Sequence, residues 1–168
     1  MSPSTEIRVT HADMKEVFRN VLLKHSFDET KATECAGIFA DNSLDGVYTH
    51  GVNRFSRFIQ MVVEKQVLPD KYPSKISSCG GMEQWDGNLG PGPSNALFCT
   101  ERALQLANQN GIGCVALGNT NHWMRGGTYG WKAAKEGYAF ICWTNTIANM
   151  PAWGAKDSHL GNNPLIIL

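Results

Sequence analysis

His50 and Arg54 stand four residues apart in the stretch GVYTHGVNRFSRF, residues 46–58. On a helix starting near His50, the two side chains share one face and lie close together. An imidazole beside a guanidinium suits a small carboxylate substrate. The guanidinium grips the carboxylate with two parallel hydrogen bonds. The imidazole, which titrates near neutrality, passes a proton to or from the adjacent oxygen. The same spacing also fits a helix-start His followed by a surface Arg, so the residues alone leave both readings open.

A second polar stretch, GNTNHWMRGGTYGW at 118–131, follows a short apolar run with β-branched residues at 112–117 (IGCVAL). Loops at strand ends commonly carry ligand contacts in α/β folds. His122 and the Arg125-Gly126-Gly127 turn make this a pocket wall, or else a turn-rich loop with an ordered His. A third stretch, WTNTIANMPAWGA at 143–155, places Thr144, Asn145 and Thr146 after a second apolar run. Their hydroxyl and amide groups suit a cofactor ribose or amide, and they equally suit an ordinary polar turn. The Gly-rich segment DGNLGPGPSN at 86–95 has neither the G-x-G-x-x-G order nor a Walker Lys, and reads as a turn. No H-E-x-x-H, C-x-x-C or G-x-S-x-G occurs, and no His or Cys spacing predicts a metal site.

The elements that position these residues can be read from apolar spacing. Thr10 caps a helix carrying Met14, Val17, Phe18, Val21 and Leu22, which stops near His25. Ser26 and Glu29 have capping-box spacing, which predicts a second helix with Ala32, Cys35, Ala36 and Phe39 on one face. A third helix is predicted over 50–66, with Phe55, Phe58, Ile59, Val62 and Val63. Residues 69–93 hold four prolines and predict turns and short strands. Ser94 opens a long helix that Asn110-Gly111 ends. Buried strands are predicted over 112–117 and 138–144, with a short helix over 131–136 between them, and GNNPLIIL at 161–168 reads as a loop entering a strand. The organisation is therefore a helical region over 1–68 followed by an α/β region over 69–168. The apolar end predicts the N-terminal part of a longer polypeptide, with a docked edge strand as the alternative.

Composition narrows the classes. The 168 residues carry 15 basic and 15 acidic side chains, which argues against a nucleic-acid or anionic-membrane partner. Five scattered cysteines form no pairing pattern and read as reduced, buried thiols. The first fifteen residues lack an apolar leader, and no run reaches the ~20 apolar residues of a membrane helix. A cytoplasmic protein with no membrane partner is expected.

Read together, VYTHGVNRF, QWDGNLG, NGIG, NHWMRGGTYGW, ICWTN, PAWGAK and GNNPLI resemble, in that order, the malate/L-lactate dehydrogenase-type oxidoreductases. The resemblance runs from about residue 8 to the end. It implies an α/β, mixed-sheet, non-Rossmann fold with a helical N-terminal region. It implies hydride transfer between a 2-keto acid and a nicotinamide cofactor, NADH or alternatively NADPH, in a homodimer. The YTHGVNRF and NHWMRGG blocks resemble most the branch that reduces 2,3-diketo-L-gulonate to 3-dehydro-L-gulonate with NADH. Malate, lactate and ureidoglycolate define the other branches. By this resemblance His50 is the proton donor, and Thr49, where Ser is usual, orients it. Arg54 and His122 bind substrate, and Thr146 meets the nicotinamide portion. Family chains are about twice this length. The resemblance therefore implies an N-terminal fragment that lacks later cofactor segments and a carboxylate partner for the catalytic His. Little activity and marginal stability are expected of the chain alone.

Overall fold

The computed structural model describes residues 8–168, which form two compact units, one ending at Arg125 and one spanning Gly126–Leu168. The N-terminal stretch read as lacking a leader lies partly outside the described residues.

The first unit begins with α1 (His11–Lys24), capped by Thr10, whose hydroxyl accepts from the Asp13 amide at 3.1 Å. α2 (Glu29–Leu44) starts one residue after Asp28, not at the predicted Ser26 cap. The Asp28 carboxylate accepts the Lys31 amide at 2.9 Å, while Ser26 sits at φ 67° in the turn. An Asn, Asp or Ser can each cap, and the one in extended geometry at the boundary takes the role. Glu29 instead pairs with Arg19. A single 3-10 turn (Tyr48–His50) precedes α3 (Val52–Val63). Phe18, Phe39, Phe55 and Phe58 interlock, with Phe18 stacked on Phe55 at 4.0 Å and Phe39 edge-on to Phe55 at 5.1 Å. This aromatic cluster closes the three-helix layer. Val17 and Val63, predicted on the apolar faces, are exposed at its margin.

β1 (Ser74–Cys79) and β2 (Met82–Asp86) pair antiparallel, and α4 (Gly92–Asn110) follows, ending at Gly111 with φ 79°. β3 (Cys114–Gly118) pairs parallel to β2, which makes the sheet mixed with order β1-β2-β3. Glu83 on β2 is buried beneath Arg102 of α4, which holds both carboxylate oxygens at 2.7 and 2.8 Å. That guanidinium holds the Glu83 carboxyl down at about 2, aided by Trp85 and Lys75. Gly113 joins α4 to β3, and a Cβ there would overlap the Ala103 carbonyl oxygen and meet the Ala107 amide at 2.8 Å. Gly113→Ala is expected to cost about 2–3 kcal/mol, measured by urea unfolding, because the overlap is with helix backbone that cannot swing aside. An unchanged midpoint would show that the α4–β3 junction yields.

The second unit contains α5 (Gly127–Lys135), β4 (Ile141–Trp143), β5 (Met150–Pro151), β6 (Ser158–Leu160) and β7 (Leu165–Ile167). β4 pairs antiparallel with β7, and β5 with β6. β3 pairs with β2 in the first unit, and β4 with β7 in the second. The strands predicted to be buried are half-buried. Val115 and Leu117 of β3 are partly covered while Cys114 and Ala116 are exposed, and Cys142 of β4 is partly covered while Ile141 and Trp143 are exposed. Each apolar run has a cover on one face only, so its alternate residues face out. The same alternation exposes Cys114, and the outer strand β1 exposes Cys79. Only Cys35 is fully buried, and all five thiols are unpaired.

The α/β class, helical beginning and mixed sheet match expectation. No helix among the described residues is long and apolar enough to cross a membrane.

Candidate functional site

His50 does not lie on α3. Gly51, with φ −112° and ψ −126°, breaks the chain direction between the 3-10 turn and the helix. The expected shared helical face of His50 and Arg54 is thus replaced by a turn followed by a helix start. The Arg54 amide donates to the Gly51 carbonyl at 2.9 Å, so Arg54 sits in the first turn of α3. The two groups still face one another electrostatically. Burial first, then the positive charges of Arg54 and Arg125, hold the His50 imidazole below its ordinary 6.5. Thr49 Oγ1 lies 3.1 Å from His50 Nδ1. A hydroxyl both donates and accepts, so it follows either protonation state of that nitrogen and leaves Nε2 free to work.

His122 stands beside His50, with ring centroids 5.5 Å apart and planes inclined by 34°. The Met124 amide donates to His122 Nδ1 at 3.0 Å. This bond makes Nδ1 an acceptor and places the neutral ring's proton on Nε2. Burial, then Arg54 and His50, push the His122 pKa down to about 4. At neutral pH this ring is a fixed hydrogen-bond donor, not a proton source. Arg125 is held by Asp45, whose carboxylate accepts at 2.6 Å.

The His122 loop rests on the Gly-rich 86–95 segment, which the sequence suggests is only a turn. The Asn121 amide donates to the Leu89 carbonyl at 3.1 Å, and Asn95 donates to the Gly87 carbonyl and to Thr120 Oγ1, both at 3.0 Å. A Cβ at Gly92 would overlap the carbonyl oxygens of Asn121 and His122. Only glycine lets the start of α4 approach that loop so closely.

Two further residues escape a motif search. Asn42 Nδ2 donates to the His50 carbonyl at 3.0 Å, and Ser43 Oγ accepts the Val52 amide at 2.8 Å. A faint signal exists: Asn42 and Ser43 fall three and four residues after Phe39, which puts polar groups on the buried face of α2.

Thr146 belongs to the second unit. Its amide donates to Asn163 Oδ1 at 2.9 Å, and its hydroxyl lies 3.5 Å from the same oxygen. His50, Thr49, Arg54 and His122 all belong to the first unit. No group of three or more His, Cys, Asp or Glu among the described residues forms a metal cluster.

The depressed His122 pKa has a measurable consequence. Its unfolded value is ordinary and its folded value is lower, so the unfolded chain binds the extra proton. Stability is therefore full above about 6.5 and is lost as pH falls toward about 4. Thermal midpoints between these limits should decline with acid, and His122→Gln should flatten that decline. An equally steep decline in the variant would show that other groups carry it.

The first unit of this α/β chain thus sets two imidazoles beside one another, both within the field of the Arg54 guanidinium. Residues 9–168 match the malate/L-lactate dehydrogenase family model, and the chain belongs to that family. It is similar to the 2,3-diketo-L-gulonate reductases of Pasteurella multocida and Haemophilus influenzae, at 51% and 48% identity over 161 residues. Those matches cover 96% of this chain and 48% of each relative, so the chain spans about half their length. Its fold is similar to a malate dehydrogenase from Pyrococcus horikoshii, with TM-score 0.91 and 28% identity, over 96% of this chain and 46% of that one. It is also similar to a sulfolactate dehydrogenase from Methanocaldococcus jannaschii, with TM-score 0.90 and 29% identity, over 96% and 47%.

Proposed function

We propose that this chain carries the carboxylate-binding and proton-transfer part of an NADH-dependent 2-keto-acid reductase, which converts 2,3-diketo-L-gulonate to 3-dehydro-L-gulonate. The observation that carries this reading is the pairing of the His50 and His122 rings at 5.5 Å under the positive charge of Arg54. The ~50% identity to the diketogulonate reductases supports the substrate. We further propose that the full-length form is a cytoplasmic homodimer acting on a small keto acid, as the family resemblance implies. Residues 1–68 and 69–168 would be its helical region and the first part of its cofactor and substrate domain.

The mechanism follows from the chemistry of each group. Arg54 binds the substrate carboxylate through two parallel hydrogen bonds and fixes the adjacent ketone. The His122 Nε2–H donates to the ketone oxygen and steadies the negative charge that grows there. His50 gives its proton to that oxygen, completing the hydroxyl, while Thr49 holds Nδ1. Bound NADH would supply the hydride to the ketone carbon. Thr144, Asn145 and Thr146 fit the nicotinamide end by their donor set. Asn163 occupies the Thr146 amide, while the hydroxyl oxygen keeps acceptor capacity for a ribose or carboxamide group.

The test joins this chain to the C-terminal half of the Pasteurella multocida relative and follows NADH oxidation with 2,3-diketo-L-gulonate, pyruvate and oxaloacetate. The fusion is expected to prefer 2,3-diketo-L-gulonate, and the chain alone to stay at background. Preference for oxaloacetate or pyruvate would move the chain to a malate or lactate branch. A folded fusion inert with all three would overturn the reading and favour a silent fragment.

A further inference from the structure

We propose that Asn42, in the last turn of α2, is the positioning residue of His50: its buried amide anchors the His50 carbonyl and so fixes the imidazole beside His122. The catalytic value of this role rests on reading His50 as the proton donor; the positioning itself does not.

Asn42 is 1% exposed, on a helix face otherwise built from Ala32, Cys35, Ala36 and Phe39. An amide in such a place is costly unless its polar atoms are used. Its Nδ2 spends a hydrogen bond on the His50 carbonyl, eight residues ahead, and the backbone carbonyl of the same residue accepts the Val47 amide at 2.8 Å. Asn42 therefore brackets the loop at both ends, Val47 and His50. The turn between them is a single 3-10 turn. Its internal bonds are His50 amide to Val47 carbonyl at 3.0 Å and Gly51 amide to Tyr48 carbonyl at 3.1 Å. Such single 3-10 turns are weak on their own.

Ser43 performs a separate task. Its hydroxyl donates to the Phe39 carbonyl and accepts the Val52 amide, both at 2.8 Å. A Cβ on Gly51 would overlap this hydroxyl, so Gly51 is pressed against Ser43. Ser43 thus starts α3, whereas Asn42 holds the residue that carries the imidazole. With the His50 carbonyl fixed by Asn42 and Nδ1 met by Thr49 at 3.1 Å, the ring is constrained at its backbone and at its edge. The charged and titratable groups that face it are Arg54 on α3, and His122 and Arg125 on the 119–125 loop.

The test is NMR on the 168-residue chain with labelled Asn and His. In the wild type, a scalar coupling across the hydrogen bond from Asn42 Nδ2 to the His50 carbonyl carbon is expected, and its absence would overturn the proposal. In Asn42→Ala, and in the isosteric Asn42→Asp that lacks the donor, the ring-to-ring NOE between His50 and His122 should fall several-fold. The His50 midpoint should move up as the ring leaves its partly buried place beside Arg54 and Arg125. Amide protection at Phe39 reports that the helices remain folded. Ser43→Ala should keep the NOE. An unchanged NOE and midpoint in a folded Asn42 variant would overturn the proposal. In the active fusion, Asn42→Ala should lower kcat about 10–10²-fold with KM little changed. Loss of the NOE with kcat unchanged would retain the positioning role and overturn the proton-donor reading.

Discussion

His50→Gln in the active fusion is expected to lower kcat by about 10²–10⁴-fold, the usual contribution of a positioned general acid. Glutamine keeps similar bulk and an N–H donor, so the polar surface remains, but it has no proton to deliver at working pH. The backbone bond from Asn42 to residue 50 is unaffected by the side chain. NADH affinity, read by fluorescence titration, should change only a few-fold. The pH profile supplies a second readout. The His50 pKa is lower than 6.5 in the free protein, so reduction by the wild type should slow as pH rises through that value. The reverse reaction, which needs the neutral ring as base, should quicken over the same range. Both limbs should vanish in the glutamine variant. A variant with wild-type turnover would remove His50 from proton transfer.

Arg54→Ala is expected to raise KM for the keto acid roughly 10²–10³-fold, the cost of truncating one partner of a hydrogen-bonded charge pair. The loss should fall mainly on KM, because the carboxylate is bound alike before and during reaction. Arg54 also lowers the pKa of both His50 and His122, so both titrations should move up in the free variant. Arg54→Lys separates the two effects. A single ammonium restores much of the field, but it lacks the planar fork that grips two carboxylate oxygens. The lysine variant should therefore recover the histidine titrations while recovering KM only in part. If KM is unchanged in Arg54→Ala, the carboxylate is held elsewhere.

Much of the frame was legible along the chain. Thr10 and Gly111 mark helix ends because capping is local chemistry, written within three or four residues. The Phe39, Phe55 and Phe58 positions were legible because a 3.6-residue period repeats whatever the partner is. Ser26 misled, since Ser26 and Asp28 both have capping oxygens and only backbone geometry selects between them. The apolar runs at 112–117 and 138–144 predicted strands correctly and full burial wrongly. A run of apolar residues records what a strand can bury, not how many faces are covered.

The site divides in the same way. The sequence by itself determined which groups are available: an imidazole at 50, a guanidinium at 54, an imidazole at 122 and a hydroxyl at 49 beside the first ring. Those are properties of side-chain chemistry and short spacing. Tertiary structure alone decided that His122, seventy-two residues beyond His50, stands beside it with ring centroids 5.5 Å apart. It also decided that Met124 fixes the His122 tautomer, that the 86–95 segment supports that loop, and that Asn42 holds the His50 carbonyl. These contacts join residues far apart in the chain, or depend on backbone directions such as the break at Gly51. Their energies arise from burial and from shared electrostatic fields, which exist only once the elements have packed.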